Sequence, residues 1–172
     1  MKISKRFELA ETVAMPAGTL CVLEFQAKAV KAISLGPVSG SNAVPMILLD
    51  KDGETGPVVT EVPQKMALSY GTDWVLDVGE GEGVDLDAGT PPLLHGGLRM
   101  GPDLAVLKVR RLDGRMPSEF VFVDLVANRP HGGVSFPDRT FDVATWRIWL
   151  SEAEQAREGG RPVFEFTATA RG

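Results

Sequence analysis

The chain has little of the residues from which covalent cross-links and metal centres are usually built. It contains one cysteine, Cys21, and two histidines, His95 and His131, among 172 residues. A single cysteine excludes an intrachain disulfide and any zinc site made of several cysteines. Because Cys21 lies in the apolar run 19–23, we expect it to be a small buried hydrophobe rather than a nucleophile.

Long apolar runs are also missing. No segment reaches the roughly 18 consecutive apolar residues of a membrane-spanning helix, and the basic start, residues 1–8, lacks the apolar stretch of a secretory signal. With 44% hydrophobic and 24% charged residues, the composition is that of a soluble globular protein. We therefore expect one β domain over residues 1–172, cytoplasmic when synthesised, with the irregular segment 79–101 as the one place for a subdivision.

The sequence has no basic stripe. Its 18 lysines and arginines stand against 23 acidic residues, a net charge of -5, which argues against nucleic acid as a partner. The acidic excess is concentrated in residues 50–98, with a net charge of -8, whereas 1–49 and 99–172 carry +2 and +1. We therefore expect any cation or basic partner to bind the middle third of the chain.

Glycine and proline are abundant, with 19 and 12 residues, and they divide the chain into short β-type runs at spacings near the 8–12 residues typical of sandwiches and barrels. The sequence predicts an all-β protein: an antiparallel, jelly-roll-like β-sandwich with nine or ten strands. The clearest hairpin joins 44–50 to 57–62 through Asp52 and Gly53. The predicted strand runs are 3–9, 18–27, 30–35, 44–50, 57–62, 65–78, 104–112, 119–127, 141–150 and 162–170. Run 65–78 is expected to form one or two strands, with a break near Gly71.

At most one short helix is expected, near residues 151–158. Ser151 is suited to cap its start, Glu154 to complete a capping box, and Gly159 to end it. Residues 145–150 fit both the strand period and the helix period, and their β-branched side chains favour a strand.

Six acidic residues fall within fifteen positions of a glycine-rich segment between residues 73 and 87. Carboxylates on such a loop can surround Ca²⁺, which takes six to eight oxygen ligands. Calcium is therefore the one cofactor that the sequence suggests, and its candidate ligands are Glu80, Glu82, Asp85 and Asp87. A docking surface for a basic partner and a plain solvated loop are the alternatives.

Two further groups of side chains are candidates for ligand binding. Trp74, Trp146 and Trp149 could stack on sugar rings, although core packing is the commoner role for so few aromatic residues. His95 and His131 each stand in a His-Gly-Gly segment, and with one carboxylate they could hold a metal ion. Ordinary turn histidines are the alternative.

No nucleophile elbow, phosphate loop or dinucleotide-binding motif occurs, so the sequence predicts a protein that is not an enzyme. We expect a structural subunit that packs with protein partners, as a homo-oligomer or in a larger assembly, through its strand-like ends at 3–9 and 164–169. The analogy of fold and composition suggests a head or tail accessory subunit of a bacteriophage virion. A carbohydrate-binding β-sandwich with a calcium loop and a cupin-like metal-dependent enzyme are the alternatives.

Overall fold

The structure of the chain, a computed structural model, describes residues 7–78, 93–112, 119–131 and 140–168 and the backbone of residues 84–85. Strands make up nearly all of its regular structure, so the predicted all-β sandwich is confirmed. The described residues include fifteen strands rather than nine or ten. The break expected near Gly71 in run 65–78 is confirmed, with a φ of +83° at Gly71. Part of the difference in number arises because run 141–150, predicted as one strand, divides at Ala144.

The strands are β1 (Glu8–Glu11), β2 (Leu20–Phe25), β3 (Lys28–Ser34), β4 (Ala43–Leu48), β5 (Val58–Pro63), β6 (Met66–Gly71), β7 (Val75–Val78), β8 (Val84–Asp85), β9 (Leu98–Gly101), β10 (Leu104–Arg111), β11 (Phe120–Asp124), β12 (Arg129–Pro130), β13 (Phe141–Val143), β14 (Thr145–Trp149) and β15 (Phe164–Thr167). A 3-10 turn covers Thr12–Ala14, and one short helix, α1, covers Glu152–Gln155.

Twelve strands form a large sheet in the order β1-β6-β2-β3-β4-β5-β10-β9-β13-β8, in which β11 also pairs with β10, and β12 pairs with β11. The other three form a second sheet in the order β15-β14-β7. The pairings in the described residues are antiparallel, except that β5 and β10 run parallel where Val58 lies opposite Arg110. The chain is thus a sandwich of two sheets of very unequal size.

The hairpin predicted at Asp52 and Gly53 is confirmed. Strands β4 and β5 pair from Ala43 opposite Pro63 to Leu48 opposite Val58. Gly53 has a φ of +76°, which a glycine adopts without steric cost.

Two apolar cores lie on opposite faces of the large sheet. The main core lies between the sheets, and it includes Leu20, Ile33, Ile47 and Val59 from the large sheet with Trp146 from the second. Successive side chains along a strand point to opposite faces of a sheet, so the residues that alternate with these in β2 to β5 form a second core on the other face. Its buried members are Met15, Cys21, Leu23, Val30, Ala32, Val44, Met46, Leu48, Val58, Val62 and Ala67.

Cys21 is wholly buried in this second core, which confirms its predicted role as a small hydrophobe. Burial raises the pKa of its thiol from 9.0 to about 12, because the thiolate would lose its hydration. The thiol is therefore neutral through the physiological pH range and is a poor nucleophile.

Residues 141–150 pass from one sheet to the other. Strand β13 pairs with β9 in the large sheet, and β14 pairs with β7 and β15 in the second sheet. The strand interpretation of residues 145–150 is confirmed, with Trp146 and Ile148 buried. The helix after it begins as predicted, because the Ser151 hydroxyl accepts a hydrogen bond of 3.3 Å from the backbone N–H of Glu154.

Candidate functional site

The predicted calcium ligands lie almost entirely outside the described residues. Glu80, Glu82 and Asp87 are not among them, and of Asp85 only the backbone pairing with Phe141 is described. Within the described part of the chain, no group of three or more His, Cys, Asp or Glu side chains could hold a metal ion. The calcium loop and the subdivision of the domain in segment 79–101 therefore stay predictions.

The structure separates the three tryptophans, so they do not form one stacking platform. Trp146 is 0% exposed and packs against Phe164 and Phe166, with ring centroids 5.3 and 5.8 Å away. Trp149 lies on the opposite face of β14, where its Nε1 donates a 3.2 Å hydrogen bond to Asp77 Oδ2. The proposed stacking role is wrong for Trp146, because a side chain enclosed in the core cannot meet a ligand.

Trp74 lies beside a cleft of about 230 Å³. Its Nε1 donates a hydrogen bond of 2.6 Å to the carbonyl oxygen of Gly18, which holds the half-buried ring in place. The Oδ1 atom of Asn128 is buried beside Gly18 and has no hydrogen-bond partner in the described residues. The other residues that line the cleft are Ala17, Thr72, Leu76, Ala105, Leu125 and Val126.

The first His-Gly-Gly segment, residues 95–97, forms a corner of the main core. His95 Nε2 lies 2.8 Å from the carbonyl oxygen of Pro57, and the ring packs edge-on against Phe120 at 5.2 Å. The carbonyl oxygen of Gly96 accepts a 2.7 Å hydrogen bond from Trp146 Nε1. These contacts favour the alternative interpretation of His95 as a turn histidine that braces the fold.

The second histidine follows β12. The backbone N–H of His131 donates a 2.7 Å hydrogen bond to the carbonyl oxygen of Phe122, so His131 lies beside β11. His131 lines a depression of about 350 Å³ with Asp124, Arg129 and Pro130. Asp124 Oδ1 is engaged by two backbone N–H groups of its own turn, and no third metal ligand joins the histidines in the described residues.

Lys108 is a second described side chain with a shifted pKa. Partial burial lowers its pKa below the ordinary 10.5, because the ammonium group loses hydration. Its Nζ donates a 2.7 Å hydrogen bond to the carbonyl oxygen of Leu93 and lies 4.8 Å from the ring centroid of Phe120. Lys108 therefore holds the segment before the His-Gly-Gly corner against β10.

Exposed apolar side chains lie along one edge of the large sheet. Strand β1 pairs with β6, and its other edge has no partner strand among the described residues. Phe7 and Leu9 are 50% and 64% exposed, and Met66 on β6 is 48% exposed. The apolar side chains on this face, which we call the edge patch, are Phe7, Leu9, Met66, Leu68 and Tyr70.

The pairing of β1 with β6 explains why these side chains share a face. Leu9 lies directly opposite Leu68, and side chains that face each other across two strands point to the same side of the sheet. The Phe7 ring packs edge-on against Tyr70, with centroids 6.3 Å apart. Ala10 points to the other face and packs against the second core. The edge patch therefore lies on the main-core face of the large sheet. Tyr70 packs against that core, whereas Phe7 and Leu9, farther out on the edge, are half or more exposed.

Fold and side chains together define an all-β sandwich with an apolar edge at β1 that has no partner strand within the described ranges. Comparison of the chain with protein-family models, with the curated proteins and with the solved structures finds no match. Among the helices of the described residues, none has the length and apolar character needed to cross a membrane.

Proposed function

We propose that the chain is a non-enzymatic assembly subunit that associates with protein partners, its own copies among them, through the edge patch. The observation that carries the proposal is the exposure of Phe7 and Leu9 at an edge strand whose outer side has no partner strand among the described residues. Natural sheets protect such edges with charged side chains, proline or bulges, because the free backbone groups recruit further strands. An edge strand with exposed large apolar side chains is typical of an interface.

The polar groups of the described residues support a structural role rather than a catalytic one. The Cys21 thiol is enclosed, and Lys108 is engaged with a backbone carbonyl. Arg99 and Asp142 form a two-pronged ion pair across β9 and β13, with N–O distances of 2.7 and 2.9 Å. Each of these groups holds the fold together, and catalysis requires groups poised for a substrate.

The setting that we propose is a repeating assembly such as the head or tail of a bacteriophage virion, with this chain as an accessory subunit. Such assemblies are built from many copies of small subunits, and an edge that joins sheets between subunits suits that use. The support for this setting is the fold class and the composition alone.

Light scattering coupled to size-exclusion chromatography over a range of concentrations tests the proposed function. We expect a mass of at least two chains at high concentration, and we expect Leu9→Lys to shift the distribution toward the monomer. Leu9 is 64% exposed, so the substitution should not disturb folding. Val38→Lys is the matched control, because Val38 is also an exposed apolar residue, at 53%, and lies outside the edge patch. A wild-type chain that stays monomeric throughout would refute the proposal.

A second candidate function, carbohydrate binding, is favoured by the cleft beside Trp74, whose ring is held in place next to a largely apolar wall. Titration with a panel of soluble oligosaccharides, followed by tryptophan fluorescence, tests it. We expect a saturable change that Trp74→Phe removes and Trp149→Phe retains. The absence of a saturable change with every sugar in the panel would contradict this candidate.

A further inference from the structure

We propose that two copies of the chain pair their β1 strands antiparallel about a two-fold axis at Leu9, so that their large sheets join edge to edge. This inference rests on the proposed function, because it identifies the partner at the edge patch as a second copy and specifies how that copy is placed. Its support comes from the backbone groups at the free edge, the order of side chains in β1, and the faces of the sheet.

The backbone of β1 presents its odd-numbered residues to the free edge. The N–H of Thr12 donates a 2.9 Å hydrogen bond to the carbonyl oxygen of Lys65, at the end of the pairing with β6. In an antiparallel pair, every second residue directs both its N–H and its C=O to the partner strand. The even-numbered residues of β1 are therefore directed to β6, and Phe7, Leu9 and Glu11 direct their backbone groups to the empty edge.

Pairing centred on Leu9 uses all of these outward groups. Leu9 then lies opposite Leu9 of the second copy, and Phe7 lies opposite Glu11 on both sides of the axis. Residues that face each other in this way exchange two N–H···O=C hydrogen bonds. Three such pairs form, and every outward-directed residue from 7 to 11 is used.

The neighbouring registers are less favourable. Centring the axis on Glu8 places two Glu8 carboxylates directly opposite each other, and like charges in this position are destabilising. Centring it on Ala10 leaves the outward groups of Phe7 without a partner in β1 and forms two hydrogen-bonded pairs instead of three. In a third register, the axis lies between Leu9 and Ala10, so that Leu9 of one copy faces Ala10 of the other. Glu8 then lies opposite Glu11, and the apolar face of one copy is turned to the opposite side of the joined sheet.

In the Leu9 register, each face of one large sheet also continues into the same face of the other copy's sheet. An axis perpendicular to the sheet leaves each residue on the same face in both copies. Leu9 and Phe7 of the two chains then form an apolar strip across the axis, with Glu11 of each copy beside it on the same face. Ala10 and Glu8 face each other on the opposite side, where no two acidic side chains lie directly opposite each other. A two-fold contact of this kind is isologous and closes as a dimer.

Single-cysteine cross-linking under mild oxidation tests the register. Leu9→Cys places two thiols directly across the axis, where Cα atoms of a hydrogen-bonded pair lie about 5.5 Å apart, within the range of a disulfide. Phe7→Cys is the matched control: Phe7 is 50% exposed, but in this register the two copies of residue 7 lie about 13 Å apart along the strands. Cys21 contributes no background, because it is 0% exposed.

We expect rapid formation of a disulfide-linked dimer by Leu9→Cys and none by Phe7→Cys or Glu11→Cys alone. A mixture of Phe7→Cys and Glu11→Cys chains should cross-link, because those residues face each other. Equal cross-linking of all three single variants overturns the register. If Leu9→Cys fails to cross-link while light scattering still shows association that Leu9→Lys weakens, the two-fold pairing is wrong and the assembly function stands. If the wild-type chain shows no association at any concentration, both proposals fail.

Discussion

The indole nitrogen of Trp146 donates a 2.7 Å hydrogen bond to the carbonyl oxygen of Gly96. Trp146 belongs to the second sheet, and Gly96 lies in the corner that leads into β9 of the large sheet. Gly96 has a φ of +76°, and a Cβ atom at this position would lie 2.2 Å from the ring of Phe166. The contact therefore ties the two sheets together at a position where only glycine fits.

Gly96→Ala should destabilise the protein strongly. Gly53→Ala is the matched control, because Gly53 also has a φ of +76° but has nothing within 4 Å of an added Cβ. We expect a loss of about 1 kcal/mol in the free energy of unfolding at Gly53, from backbone strain. Gly96→Ala should cost roughly 1–3 kcal/mol more, from the collision with Phe166. Urea denaturation of both variants measures the difference, and equal losses would contradict the packing described for Gly96.

Trp146→Phe should cost more stability than Trp149→Phe. The first substitution leaves the carbonyl oxygen of Gly96 without its donor, at about 1–3 kcal/mol, and opens a cavity in the main core. The second removes a hydrogen bond to Asp77 from a half-buried ring, so we expect a loss of about 1 kcal/mol. Thermal and urea unfolding of the two variants provide the measurement, and the reverse order would show that Trp146 is not the buried residue.

Cys21 should make stability fall in alkaline solution. Burial raises the pKa of this thiol from 9.0 to about 12. Above pH 9 the unfolded chain loses the proton, whereas the folded chain keeps it up to about pH 12, so the unfolded state is favoured by at most about 1.4 kcal/mol per pH unit in this window. Cys21→Ala lacks this contribution.

The free energies of unfolding of the wild type and Cys21→Ala, measured from pH 8 to the alkaline limit of folding, test this prediction. We expect the wild type to lose stability relative to the variant above pH 9, and their difference to be constant below it. A parallel check is the reaction of the thiol with a chromogenic disulfide reagent at neutral pH, which should require unfolding. Fast reaction of the folded protein would contradict the burial of Cys21.

The Arg99–Asp142 pair should show measurable coupling. Both side chains are only 16% exposed and meet through two hydrogen bonds, and such charge-assisted pairs contribute about 1.5–3 kcal/mol. A double-mutant cycle with Arg99→Met and Asp142→Asn measures the interaction. The same cycle on Lys28 and Asp52, which form an ion pair at 61% and 68% exposure, should give less than about 1 kcal/mol. Similar coupling in the two cycles would contradict the distinction by burial.

Local features of the chain were predictable because short-range chemistry determines them. Alternating apolar residues marked the strands, Asp52 and Gly53 marked the β4–β5 hairpin, and Ser151 marked the start of α1. The burial of Cys21 followed from the apolar run around it. In each case the interacting residues are close in the chain, so their spacing carries the information.

The candidate sites were less predictable. Trp146 and Trp149 are three residues apart and have the same chemistry, yet the first is enclosed in the main core and the second is half-buried on the opposite face of β14. Their difference depends on which face of β14 meets the large sheet. His95 stands in the same motif as His131, and its bracing role comes from Pro57 and Phe120, which are distant in sequence.

The sequence by itself determined that the chain is built of short strands, that it has one capped helix after residue 151, and that Phe7 and Leu9 share one side of an N-terminal strand. The tertiary structure decided that residues 141–150 divide between two sheets at Ala144 and that nothing in the described chain covers Phe7 and Leu9. The physical reason is that strand periodicity assigns a side chain to a face, whereas the partner of that face is chosen by contacts between distant segments.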